Sequence, residues 1–164
     1  MKALINEIEG TYNNEEFMTQ VFPGYRHIKP EIEYLGLPYT HEDKFMLHFR
    51  AEVSNMIAAK LTLEGRIIFA PISAWHHIAM KYDLPGNFEY WEKLDEAFIK
   101  VSKKLLVIKL PGWDTSNGVT LEKKIANKNG VPIEYINPED YLCNTEKLFE
   151  EVEHLANMEK ERIK

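Results

Sequence analysis

The chain reads as an α/β protein built on a parallel sheet, and three observations predict this. Short apolar runs alternate with helix-length amphipathic stretches along most of the 164 residues. None of the joins carries a hairpin signal, so successive strands must be connected by crossovers. Glycine or proline falls at the element ends, as at Pro38, Gly65, Pro71 and Gly130. The expected architecture is Rossmann-like (flavodoxin-like), with four to five strands and helices on both faces.

The elements follow in order. Residues 1–31 carry Asn13, Asn14, Pro23, Gly24 and Pro30 beside Phe17, Val21, Phe22 and Tyr25, which suits an arm packed on the domain. The domain itself is expected over 32–164. Glu33–Leu37 is a short buried strand ended by Pro38. Thr40 or His41 then precedes a long helix to about Glu64, with Phe45, Phe49, Val53, Ile57 and Leu61 on one face and Gly65 closing it. Arg66–Ala70 is a second strand. Ser73 caps a short helix to about Tyr82, and 84–87 is a loop. A helix over 88–103 buries Trp91, Leu94, Phe98 and Val101, and leads into the strand Leu105–Leu110. A helix over 118–129 ends at Gly130, and Pro132–Ile136 is a fourth strand. Asn137 and Pro138 open one or more C-terminal helices, with Leu148, Val152 and Leu155 inward.

Composition narrows the function. A hydrophobic fraction of 45% and a net charge of −6 fit a soluble globular domain and argue against nucleic acid as the main partner. Cys143 is the single cysteine, so no intrachain disulfide is possible, which fits a reducing cytoplasm. Acidic residues interrupt the apolar character of Met1–Glu9, so no signal peptide is expected, and no apolar run reaches a membrane span of about 20 residues.

In open parallel sheets the ligand crevice lies beyond the carboxyl ends of the strands. The segments there are Pro38–His41, Pro71–His77 and Pro111–Asn117. Ser116, Asn117 and Gly118 open a helix, where free backbone N–H groups and a small hydroxyl suit an anion; a plain N-cap is the simpler role for Ser116. Glu122 shares the inward face with Val119, Ile125 and Ala126, while Lys123, Lys124 and Lys128 face out. The helix macrodipole would keep such a glutamate ionised. Asp95 lies on the apolar stripe of its own helix and either bonds to nearby backbone or points into a site. Tyr39 and Trp113 can each stack on a base or fill a gap, and Arg50 sits midway along the long helix as a surface residue or a ligand. Trp75-His76-His77 lacks a spacing that makes a metal site.

At these residues the chain resembles the nucleoside 2-deoxyribosyltransferase-like superfamily, in particular its small members and the nucleotide N-glycosidases. The resemblance runs from about Tyr34 to Ile136 through Tyr34-Leu-Gly-Leu-Pro-Tyr39, Ile68–Ser73, Trp91–Asp95–Ala97, Leu110-Pro-Gly-Trp113 and Ser116-x-Gly118-x-x-x-Glu122. It implies cleavage of the N-glycosidic bond of a nucleoside 5′-monophosphate or related nucleotide by a hydrolase or deoxyribosyltransferase. Glu122 would attack or stabilise the anomeric carbon, and Asp95 would assist the departing base or hold the sugar. Ser116, Asn117 and Gly118 would bind the phosphate with help from Arg50, and Tyr39 and Trp113 would face the base. No metal or organic cofactor is called for, and a homo-oligomer is expected. Residues 1–31 and the long 110–117 turn depart from the compact family pattern and leave the substrate open. The same fold would alternatively sequester a nucleotide signal such as an ADP-ribose derivative, or serve as an interaction module.

Overall fold

The computed structural model describes residues 31–142. The expected arm and the positions Cys143, Leu148, Val152 and Leu155 lie outside them. Four parallel strands form one sheet: β1 (Ile32–Gly36), β2 (Ile67–Phe69), β3 (Lys104–Ile108) and β4 (Ile133–Ile136), in the order β2-β1-β3-β4. The α/β class, the parallel sheet and the strand number agree with the sequence. Helices α1 (Lys44–Leu63), α2 (Pro71–Tyr82), α3 (Phe88–Val101) and α4 (Asn117–Lys128) fill the crossovers, and a 3-10 turn follows at Pro138–Asp140.

Strand alternation makes two cores. Leu35, Leu106, Ile108 and Ile136 face Val53, Ile57 and Leu61 of α1. On the other face Tyr34, Leu105 and Val107 meet Ile99 of α3 and Val119 and Ala126 of α4. Phe69 of β2 stacks on Phe98 with centroids 3.7 Å apart, and its ring also tilts against Tyr34. The polar contacts between α1 and α2 include the Ser54 and Ser73 hydroxyls, 2.8 Å apart.

Ion pairs cross each of the three strand junctions near the amino ends. Arg66 pairs with Glu33 between β2 and β1. Lys103 pairs with Glu31 at 3.1 Å between β3 and β1, and Lys104 with Glu134 at 2.5 Å between β3 and β4.

Several boundaries differ from the sequence reading, each for a local reason. Asp43, and neither Thr40 nor His41, caps α1 by accepting from the Phe45 amide. Pro71 starts α2 with Ala70 as its cap, because proline needs no amide partner in the first turn; Ser73 is already helical. Helix α3 stops at Val101, where the Ser102 hydroxyl donates to the Phe98 carbonyl. Val101 is therefore exposed, and Ile99 takes its place in the core. Gly65 ends α1 as expected, with a φ of 84° that a side chain would disfavour.

Ile57 is fully buried under the sheet. Ile57→Ala is expected to lower stability by about 2–5 kcal/mol, read as a shift in denaturant midpoint at constant slope.

Candidate active site

The site grows from one residue that the strand pattern forces inward. Tyr34 lies in the middle of β1, pairs with Leu105 and Phe69 on either side, and is fully buried. Its ring is part of the core, but its hydroxyl must still find a polar partner. It finds two. The hydroxyl donates to Asp95 Oδ1 at 2.8 Å and is 3.1 Å from Glu122 Oε1. Asp95 comes from the middle of α3 and Glu122 from the second turn of α4, so β1 and both helices of that face meet at one oxygen.

Both carboxyls are deeply set, Asp95 at 7% exposure and Glu122 at 8%. Burial pushes the Asp95 carboxyl up to about 6, partly offset by the Tyr34 hydroxyl. Burial, then the charge of Asp95, pushes Glu122 up to about 8 against the same hydroxyl. Tyr34 itself is raised well above its ordinary range by burial and by the two carboxyls, so it keeps its hydrogen. The mutual repulsion falls on whichever acid ionises second. Burial beside a second acid thus works against the macrodipole, which the sequence led us to expect would keep Glu122 ionised.

Glu122 Oε2 is buried and has no hydrogen-bond partner among the described residues. It rests against Gly36, the last residue of β1, where any Cβ would overlap it. Glycine at 36 is therefore the condition for Glu122 to enter the site.

The other expected site residues divide. Ser116 is the N-cap of α4, its hydroxyl accepting from the Val119 amide at 3.4 Å. Asn117 and Gly118 follow as the first helical residues, whose amides have no partner within a helix. Arg50 braces the loop after β1, its Nη1 donating to the carbonyls of Tyr39 at 3.2 Å and Thr40 at 2.8 Å. The Tyr39 hydroxyl is 2.7 Å from His76 Nδ1, and His76 Nε2 is 2.8 Å from His48 Nδ1. That chain joins the loop to α2 and α1, with both imidazoles buried. Trp113 is half-buried, packed edge-on to Tyr135, with Lys123 Nζ 5.4 Å from its ring centroid. Lys123 is correspondingly half-buried and not simply outward. Of the expected set, Asp95 and Glu122 meet at the Tyr34 hydroxyl, and Arg50 meets the backbone of Tyr39.

Sequence reasoning missed Tyr34, Gly36 and His48 as site residues. A tyrosine inside an apolar strand signals an obligatory hydroxyl partner, and a glycine in the same strand signals close approach. His48 carried no such signal, because its partner lies 28 residues away on another helix. Among the described residues no group of three or more His, Cys, Asp or Glu is placed to hold a metal.

The family model for a domain of unknown function, DUF1937, matches residues 31–137, a span that includes Tyr34, Gly36, Asp95 and Glu122. The chain belongs to the DUF1937 family. A search of curated proteins finds no match.

Two outcomes follow from the buried acids. Both bind protons more tightly folded than unfolded, so their contribution is full below about pH 4 and is lost as pH rises through about 6 and about 8. Thermal melting should therefore fall by several degrees from about pH 5 to about pH 8.5, and Glu122→Gln should flatten the upper part of that slope. Gly36→Ala should cost about 1–3 kcal/mol in the parent chain. In a Glu122→Ala background the same change should cost less than about 0.5 kcal/mol, giving a large coupling in the double-mutant cycle.

Proposed function

We propose that the protein cleaves the N-glycosidic bond of a nucleoside 5′-monophosphate or related nucleotide, as an N-glycosidase or a deoxyribosyltransferase. The observation that carries this reading is the Tyr34-bridged pair of buried carboxyls, set near the carboxyl ends of the strands. Glycosidic chemistry uses one acid to protonate the leaving group and one carboxylate to meet the anomeric carbon. The two bridged oxygens can be no farther apart than the two bonds laid end to end, about 6 Å. That limit is short of the about 6.5–9.5 Å that leaves room for an attacking water, which favours the covalent route.

Glu122 attacks or stabilises the anomeric carbon in this reading, and Asp95 protonates the departing base or holds the sugar hydroxyls. The C–N bond breaks with its electron pair going to the base nitrogen. Water or a second base then releases the sugar from Glu122. Ser116 and the amides of Asn117 and Gly118 receive the 5′-phosphate, since first-turn N–H groups and the helix dipole both favour an anion there. Arg50 acts on the opposite side by holding the Tyr39–Thr40 backbone. Tyr39 and Trp113 remain the base-facing candidates, and the working form is a homo-oligomer in the cytoplasm.

The test is incubation of the purified protein with nucleosides, nucleoside monophosphates and ADP-ribose-type nucleotides, following free base and sugar by chromatography. Base release is expected from at least one nucleotide and should vanish in Glu122→Ala while ligand binding persists. Full activity in that variant would remove Glu122 from the mechanism. Intact ligand that co-elutes with the protein would establish the alternative, sequestration without turnover.

A further inference from the structure

The two acids have one connector between them, and its chemistry is restrictive. A phenol carries a single hydrogen, and Tyr34 uses the shorter of its two contacts, 2.8 Å, to donate to Asp95 Oδ1. If Glu122 were ionised as well, Oε1 would have to share that hydrogen and Oε2 would be a buried anionic oxygen with no donor. Placing a proton on Oε1 resolves both difficulties. Oε1 then donates to the Tyr34 oxygen at 3.1 Å, and Oε2 becomes a neutral carbonyl oxygen against Gly36, the least costly group to leave without a partner. A proton on Oε2 would instead be a buried donor facing nothing. No lysine, arginine or histidine makes a hydrogen bond or ion pair to any of the three groups among the described residues. The cluster therefore carries one negative charge and one mobile proton.

That resting arrangement is the reverse of what glycosidic cleavage needs, because the proton sits on Glu122 and the charge on Asp95. Resting on the glycosidic reading above, we propose that Tyr34 is the proton carrier of the site, passing one proton from Glu122 to Asp95 when a positively charged sugar centre settles against Glu122. The step balances within the cluster. The Oε1 hydrogen moves to the Tyr34 oxygen as the Tyr34 hydrogen moves to Asp95 Oδ1. Tyr34 is neutral before and after, and no proton is exchanged with solvent. Both hydrogen bonds reverse direction without any heavy atom having to move. Glu122 is then the carboxylate that meets the anomeric carbon, and Asp95 is the acid that protonates the base nitrogen as the C–N bond breaks. Tyr34 is in this sense a catalytic residue, since it holds the reacting proton.

The ligand class follows. Because the cation develops only as the C–N bond of the bound nucleotide breaks, the handover accompanies bond breaking, and a stable ligand with positive charge at the sugar ring copies that state where a neutral sugar does not. Free ribose or a neutral nucleoside analogue offers no charge to draw the proton across.

The experiment is infrared difference spectroscopy on the full chain with carboxyl-labelled Asp and Glu. The probe is a hydroxylated pyrrolidine, which is cationic at neutral pH and copies the charged sugar. The free protein at pH 7 should show one un-ionised buried carboxyl, lost in Glu122→Gln. Probe binding should shift that band to a second carboxyl, lost in Asp95→Asn, with no proton appearing in the buffer. Tyr34→Phe keeps the ring but removes the carrier, so binding there should release a proton to the buffer or be lost. Two ionised carboxyls in the free protein at pH 7 would overturn the shared proton, whatever the activity. A band that stays on Glu122 when the probe is bound, or a proton released by the parent chain, would overturn the handover. If no nucleotide is turned over and no probe is held, the glycosidic reading fails and takes the handover with it. The band of the free protein still decides separately whether the proton is shared.

Discussion

Burying a tyrosine ring while leaving its hydroxyl in need of a partner is the constraint from which this domain is organised. Tyr34 sits at the centre of the sheet, and its ring closes the core shared by α3 and α4. The hydroxyl cannot be left unbonded there without a penalty of about 1–3 kcal/mol. Its partners are the two acids that those helices deliver, 61 and 88 residues along the chain. The helices are thus keyed to β1 by a polar contact inside an apolar layer, and any slide of either helix would break it. The chemistry of the site and the register of the fold depend on the same oxygen.

On the loop side of β1 a second polar arrangement does comparable work. Arg50 holds two successive carbonyls of the loop, and Tyr39 reaches through His76 to His48. Each junction of that chain has room for one hydrogen, so the tautomer of one imidazole fixes the donor and acceptor roles of the next. The consequence is a loop whose path is set by directional bonds, close to the point where β1 delivers Gly36 to Glu122.

The fold class was legible because strand and helix periods differ so clearly along residues 32–136. The apolar face of α1 and the inward turn of Glu122 were legible for the same reason, as period alone assigns a side chain to a face. Contacts between elements were not. The stripe on α3 placed Asp95 inward but could not say that it would meet a tyrosine rather than backbone. Val101 and Ile99 were exchanged because the helix was expected to run two residues further, past the point where the Ser102 hydroxyl ends it. The upward push on the Glu122 carboxyl was not legible, because its neighbour Asp95 comes from another helix. For Trp113 and Arg50 the sequence left packing and ligand contact both open, and their partners, Tyr135 and the loop carbonyls, come from other elements.

The ion pairs that cross every strand junction lie near the amino ends of the strands. Nothing similar bridges the strands near their carboxyl ends among the described residues, where Gly36 instead meets Glu122, the acid that α4 brings in. Sub-global opening of a domain begins where contacts between elements are fewest and least compensated. The strands are more buried toward their carboxyl ends, at Gly36, Ile108 and Ile136, than at Ile32, Ile67 and Lys104, so amide exchange should be faster near the amino ends, where part-exposed ion pairs supply the cross-strand contacts. Because exposed ion pairs weaken with salt, that contrast should widen as ionic strength rises.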